Sequence, residues 1–311
     1  MNLNTLGWSS SRQQQFEQYR SDGFIPARVA EEHRERYLIF CEHGEKRAEI
    51  TGKLRFGAQS RVDYPAVGDW VIVQAEINDQ LAVIHDLLPR TTTFLRKVAG
   101  ETTEPQLVGA NIDIAFLVTD LGLDFNPRRL ERYLILTYES GASPVIILNK
   151  ADLCPDTHAR LDEIASIAVG VPVHCVSAST GAGMDQLLPY TTGGKTVALL
   201  GSSGVGKSTI INCLLGEERL TTKEIRESDG RGRHTTTTRQ LILLPSGGIV
   251  IDTPGMREIQ LWGEQSSLDG SFEDIHSIAQ NCRFADCSHA TEPGCAVQTA
   301  LSEGALDPKR W

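Results

Sequence analysis

The sequence predicts a three-part chain: a small β-barrel, an α/β domain with a parallel sheet covered on both faces, and a short α-helical tail built around a metal site. Three observations predict it. Short β-type segments separated by turn residues fill residues 24–88. Apolar strands then alternate with helical stretches from residue 112 to 252, the pattern of a parallel sheet buried on both faces. Three of the seven cysteines crowd with a histidine into residues 282–295.

Residues 1–24 form an N-terminal extension. A short helix is expected over residues 9–22, with Ser9 to Ser11 as caps and Gly23 as the stop. The next domain covers residues 25–90, with strands at Ile25–Ala30, Arg36–Cys41, Arg47–Leu54, Trp70–Ala75 and Leu81–Leu87. Five short strands in so few residues fit a five-stranded barrel of the OB type. Residues 91–106 lie in a polar, Thr-rich stretch and read as a linker. The α/β domain spans 107–260. Its strands are expected at Ile112–Thr119, Val145–Leu148, Val173–Val176 and Val197–Leu200, with a hairpin of Arg239–Leu244 and Gly248–Asp252. Its helices are expected at Pro127–Ser140, Arg160–Ala168 and Lys207–Leu215. Residues 261–311 form the acidic Cys/His tail domain.

With 311 residues and 40% hydrophobic content, the chain can bury two or three cores. No apolar run reaches the ~18–20 residues of a membrane span, and residues 1–15 do not resemble a signal peptide. An odd, unevenly distributed cysteine count argues for a reducing cytoplasm and one metal site rather than a disulfide framework. The formal net charge is −10, so any nucleic-acid contact must use a local patch. Lys46, Arg47, Lys53, Arg55 and Arg61, opposed only by Glu49 in that stretch, are either such a patch or a solvated strand face.

Gly201-Ser202-Ser203-Gly204-Val205-Gly206-Lys207-Ser208 matches GxxxxGK[ST], follows an apolar strand and opens a helix that continues with Thr209. Its glycines let backbone N–H groups surround phosphates. Lys207 is placed to neutralise β/γ oxygens and Ser208 to ligate Mg²⁺. Asn149-Lys150-Ala151-Asp152 ends another apolar strand, and Asp152 can accept from both N1–H and the 2-amino group of guanine. Lys150 can lay its stem on the base, and Asn149 can tie this loop to the phosphate loop. Ser177-Ala178-Ser179 follows the next strand and suits contact with guanine O6. Asp252-Thr253-Pro254-Gly255 matches DxxG: Asp252 reaches Mg²⁺ through water and the Gly255 N–H senses the γ-phosphate. One threonine of Thr235–Thr238, with Thr236 as the candidate, completes the Mg²⁺ shell. Met256 stands where Ras-type enzymes place a water-orienting Gln. Slow intrinsic turnover is therefore expected, with His234 as a candidate to position water.

These motifs describe a nucleotide site for GTP and GDP in an inverted order, with the base reader ahead of the phosphate loop. The α/β part is thus a P-loop GTPase domain that is circularly permuted. Cys282, Cys287, His289 and Cys295 supply three thiolates and one imidazole, the donor set of one closed structural Zn²⁺ site. In a tail with few large apolar residues, the metal would supply folding energy.

Together, the barrel, the permuted motifs, the Gly230-Arg231-Gly232-Arg233-His234 run and the Cys-x₄-Cys-x-His-x₅-Cys spacing resemble the bacterial small-ribosomal-subunit biogenesis GTPases of the RsgA/YjeQ type. The resemblance covers residues from about 25 onward and leaves the first 24 outside the shared pattern. It implies an OB-fold domain, a permuted G domain and an α-helical zinc-binding domain. It also implies GTP hydrolysis stimulated by the 30S subunit, a role in its late maturation and contact with 16S rRNA. A cytoplasmic monomer without a membrane partner is expected. Family members usually continue past the position of Trp311 into a further helix.

Overall fold

The computed structural model describes residues 1–33, 36–74, 81–97, 105–122, 125–220, 239–252, 273–284, 287, 289 and 292–306. The chain divides into two compact units, Met1–Leu261 and Trp262–Trp311.

In the first unit, strands β1 (Ile25–His33), β2 (Arg36–Cys41), β3 (Gly44–Ile50), β4 (Trp70–Gln74) and β5 (Leu81–Leu87) form a closed ring. β1 pairs antiparallel with β2 and β4, β2 with β3, and β4 with β5, while β3 and β5 close the ring in parallel. This is the five-stranded Greek-key arrangement of an OB barrel. Alternation along the strands fills its interior with Val29, Ile39, Val71, Val73 and Ile84, all fully buried. The third strand is shorter than the sequence suggests. Thr51 ends it by accepting a hydrogen bond from the Leu54 amide at 3.2 Å, capping a short helix α2 (Gly52–Gly57).

The Thr-rich stretch is not a bare linker. Strands β6 (Thr93–Lys97) and β7 (Pro105–Ala110) pair as an antiparallel hairpin. Phe94 and Val108 pack into the main core while Leu107 faces a second small cluster with Ala66 and Ala110, so both faces of the hairpin are covered, and β-branched threonines tolerate the extended backbone.

The remaining strands are β8 (Ile114–Asp120), β9 (Ser143–Asn149), β10 (Val173–Cys175), β11 (Thr196–Leu200), β12 (Gln240–Leu243) and β13 (Ile249–Asp252). They run in the order β10-β9-β8-β11-β13-β12, all parallel except β12. Helices α3 (Pro127–Ser140), α4 (Thr157–Ile167) and α5 (Lys207–Leu215) connect and cover them. α3 begins where the Asn126 side chain accepts from the Arg129 amide, with Pro127 in the first turn, and ends at Gly141 in the left-handed region. Its buried stripe Leu130, Tyr133, Leu134 and Thr137 follows helical spacing.

Barrel and α/β sheet are continuous: after a bulge between Val29 and Glu31, β1 pairs with β12 through Glu31 and Gln240. Arg239 donates to the Leu107 carbonyl at 2.9 Å and lies 3.7 Å from Glu32. The N-terminal segment closes this seam. Helix α1 (Ser10–Phe16), capped by Ser9, runs into a 3₁₀ turn Glu17–Asp22. Leu6 is fully buried, and Trp8 meets Trp70 edge-on at 4.7 Å. Beneath them lies Arg28, 1% exposed. Its guanidinium donates to the carbonyls of Leu6, Gly68 and Asn111, and to Thr196 Oγ1 at 2.8 Å. One cation thus joins the N-terminal segment, the barrel, the hairpin end and the strand that leads to residue 201.

In the second unit, helices α6 (Glu273–Ala279) and α7 (Ala296–Ser302) share a small core with Cys295, Val297, Ala300 and Leu306.

Candidate functional site

The loops that follow β9, β10 and β11, and the last residues of β8 and β13, lie at the carboxyl edge of the parallel sheet, where ligands of such sheets sit. Residues 201–206 turn tightly between β11 and α5. Gly206 has φ 97°, and a Cβ there would collide with the Asn149 amide. Gly201 lies against the Val118 carbonyl with the same consequence. The Lys207 ammonium donates to the Gly201 and Ser202 carbonyls, so it is held over the loop rather than spread into solvent. Ser208 and Thr209 follow in the first turn of α5, both half-buried. Ser203 and Gly204 are exposed, Val205 is buried, and Ser202 has a buried hydroxyl with no hydrogen-bond partner.

Asn149, 2% exposed, ties three loops together. Its Nδ2 donates to the Val205 carbonyl at 2.8 Å, and its Oδ1 accepts from the Ala178 amide at 3.1 Å. Satisfying both ends of a buried amide fixes the loops after β9, β10 and β11 against one another. Ala178 is placed by its own loop, in which the Ser177 side chain accepts from the Thr180 amide. Ala151 opens a 3₁₀ turn, Ala151–Leu153, leaving Asp152 exposed at the sheet edge with its carboxylate accessible.

Sequence reasoning missed Asp120. It ends β8 directly opposite Asn149, and its Oδ2 accepts from Lys150 Nζ at 3.0 Å. Lys150 needs a left-handed backbone, φ 60°, to reach it. The available signal was positional: Asp120 closes an apolar strand just as Asn149 does. Asp252 ends β13, next to β11 in the sheet, at the same edge. His234, Thr236 and the rest of Thr235–Thr238, Gly255 and Met256 lie outside the described residues.

The basic patch changes composition. Lys46 points inward and is 7% exposed, whereas Arg47, Lys53, Arg55 and Arg61 are exposed. Alternation along β3 sends neighbours to opposite faces of the strand.

In the second unit, the ligand atoms of Cys282, Cys287, His289 and Cys295 all lie within 4.8 Å of one another. The Cys282 and Cys295 sulfurs are 3.9 Å apart, and each is 3.4–3.5 Å from His289 Nδ1. Tetrahedral bonds of about 2.3 Å to sulfur and about 2.0 Å to nitrogen give edges of about 3.8 and 3.5 Å, so the set fits zinc. The Ala296 and Gln298 amides donate to Cys282 and Cys295 sulfur, as thiolates require. Gln298 Nε2 also donates to the His289 carbonyl at 2.7 Å, fixing the left-handed turn that carries the imidazole.

A family model described as "RsgA GTPase" matches residues 87–262. The chain belongs to the RsgA GTPase family. It is 46% identical over 321 residues to the small ribosomal subunit biogenesis GTPase RsgA of Opitutus terrae, covering all of this chain and 87% of that protein. It is 45% identical to the RsgA 2 of Lactiplantibacillus plantarum with the same coverage. Both alignments run through the N-terminal segment. Among solved structures, it resembles YjeQ from Thermotoga maritima at TM-score 0.63 and 27% identity, over 92% of this chain and 94% of that one. It also resembles YloQ, a circularly permuted GTPase, at TM-score 0.59 and 26% identity, over 92% and 91%. As an RsgA-family member with a permuted P-loop domain, the chain is a GTP-hydrolysing enzyme.

Proposed function

We propose that this enzyme hydrolyses GTP in late maturation of the small ribosomal subunit, that the 30S subunit stimulates its turnover, and that it contacts 16S rRNA. The names of its relatives supply the subunit. Asn149 carries the nucleotide assignment, because it holds base loop and phosphate loop in one fixed geometry. A cytoplasmic monomer suits this role; among the described residues no helix is long and apolar enough to cross a membrane.

In this reading, Asp152 accepts from the guanine N1–H and 2-amino group, and the Ala178 amide faces O6. Lys150, steered by Asp120, lays its stem along the base. The backbone amides of 202–207 surround the β-phosphate at the start of α5. Lys207 exchanges its two loop carbonyls for phosphate oxygens, trading neutral acceptors for charged ones. Mg²⁺, which would screen the developing phosphate charge, would be held by Ser208, a threonine of 235–238 such as Thr236, and Asp252 through water. Gly255 would sense the γ-phosphate and His234 would position water. A Zn²⁺ on Cys282, Cys287, His289 and Cys295 would hold the tail domain folded.

GTP hydrolysis titrated with purified 30S and 50S subunits tests the reading. Turnover is expected to rise with 30S and not with 50S. Equal stimulation by both, or none, would count against the small-subunit assignment.

A further inference from the structure

Helix α2 carries an aromatic side chain that the fold does not use. Phe56 is 94% exposed, whereas full burial of such a ring is worth about 2–3 kcal/mol. Leu54, two residues earlier, packs against the barrel core and anchors the helix. Phe56 therefore stands away from the surface that Leu54 grips.

The platform beneath it is tightly held. Thr51 caps α2, and the Ala58 amide donates to the Leu54 carbonyl at 3.1 Å. In the loop that follows, the Gln59 and Ser60 amides both donate to Asp63 at 2.9 and 2.8 Å. Arg90 spans that loop, donating to the Val62 and Tyr64 carbonyls while paired with buried Asp69 at 2.7 Å. A fixed backbone presents the ring at little entropic cost on binding.

Around the ring the cations outnumber the acids. Residues 51–63 contain Lys53, Arg55 and Arg61 against one acidic residue, Asp63, whose carboxylate accepts from the Gln59 and Ser60 amides, in a chain of net charge −10. All three cations are exposed. Lys53 precedes Phe56 by three positions and lies on the same side of the helix. A rigid exposed ring flanked by cations is the recognition chemistry of an unstacked nucleobase: the ring stacks on the base and the cations hold its phosphates. A protein docking on apolar contact alone would gain nothing from three cations.

We propose that Phe56 stacks on a single unpaired base of rRNA, with Lys53, Arg55 and Arg61 on the adjoining phosphates. This rests on the small-subunit reading above and names the contact made there.

The test is equilibrium binding of the full chain to purified 30S subunits with a non-hydrolysable GTP analogue, for wild type and for Phe56→Ala, Phe56→Leu and Phe56→Trp. Phe56→Ala is expected to weaken binding about tenfold while leaving Tm and subunit-free GTP hydrolysis unchanged. Phe56→Leu should be as weak as Phe56→Ala. Phe56→Trp should restore affinity. The double variant Lys53→Gln/Arg55→Gln should lower the slope of log affinity against log salt by about 1.4, at roughly 0.7 per phosphate contact. Phe56→Ala should leave that slope unaltered. Wild-type affinity in Phe56→Ala overturns the proposal. So does wild-type affinity in Phe56→Leu, which would indicate an apolar protein contact instead. Wild type that fails to bind 30S at all would remove the small-subunit reading itself, a result distinct from any difference among the Phe56 variants.

Discussion

Arg28 and Lys207 both donate to backbone carbonyls and do opposite things. Arg28 sits in the seam between barrel and α/β sheet, fully desolvated, its bonds going to four segments of the chain. Burial lowers its pKa to about 9, with the nearby charge of Arg12 adding to the effect. Lys207 donates to two carbonyls of its own loop and remains half-buried at the mouth of the site. The first has no route to other partners, whereas the second can exchange them for an arriving phosphate. Access rather than bond type separates a structural bolt from a ligand latch.

The tail domain offers a third way to hold a fold, and the largest effect. Stripping metal with a chelator should unfold residues 262–311, since structural zinc contributes about 10 kcal/mol or more to such small domains. The melting transition of the first unit should stay where it is, and calorimetry with and without chelator separates the two. Arg28→Met comes next. It leaves the Leu6 and Asn111 carbonyls and the Thr196 hydroxyl without the Arg28 donor, while the Gly68 carbonyl keeps the Asn111 side-chain amide, and should cost about 3–5 kcal/mol of unfolding free energy in a urea titration. Basal nucleotide affinity measured well below the new midpoint should change much less.

Lys207→Ala should invert that pattern, with GTP affinity or turnover falling about 10²–10³-fold and the urea midpoint hardly moving. If both variants lost stability equally, the distinction between bolt and latch would collapse. Asp152→Asn should weaken GTP by about tenfold or more while improving xanthine nucleotide, because its exposed carboxylate serves no described fold contact. The smallest effect belongs to the N-terminal segment. Tyr19 donates to Asp86 at 2.7 Å, and partial burial together with that bond raises its pKa to about 12. A phenol whose folded pKa is raised contributes stability that is complete below pH 10 and fades between pH 10 and 12. The ring is half-buried but its hydrogen bond to Asp86 is exposed, so Tyr19→Phe should cost about 0.5 kcal/mol or less at pH 7. Its difference from wild type should disappear above pH 12.

Much of the candidate site was legible in the chain because its chemistry is local. Residues 201–208 are consecutive and lie at one strand-to-helix turn, so spacing alone nominates them as a phosphate loop. Cys282, Cys287, His289 and Cys295 lie close enough for one turn and one helix start to gather them. Asn149 could be assigned a tying role, but its partners Val205 and Ala178 are defined only by three adjacent strand ends. Asp120 went unnoticed because a lone aspartate after an apolar run gains meaning only when the register sets it opposite Asn149. The hairpin β6–β7 reads as a linker in the sequence because its apolar side chains are few and interleaved with threonines.

The sequence by itself nominates the candidate guanine reader, the candidate phosphate loop and the candidate metal ligands. Each is a short run whose function follows from its own backbone and side chains. Only the tertiary structure decided how barrel and sheet become one body. Arg28 reads as a strand residue that could face water. It becomes a bolt because Leu6, Gly68, Asn111 and Thr196, the last 168 positions away, bring their oxygens to one dry point. Likewise it is the capped helix α2 that turns Phe56 outward. Burial is a property of the whole packed chain, and local sequence carries no record of which distant carbonyl, or which solvent, a side chain will meet.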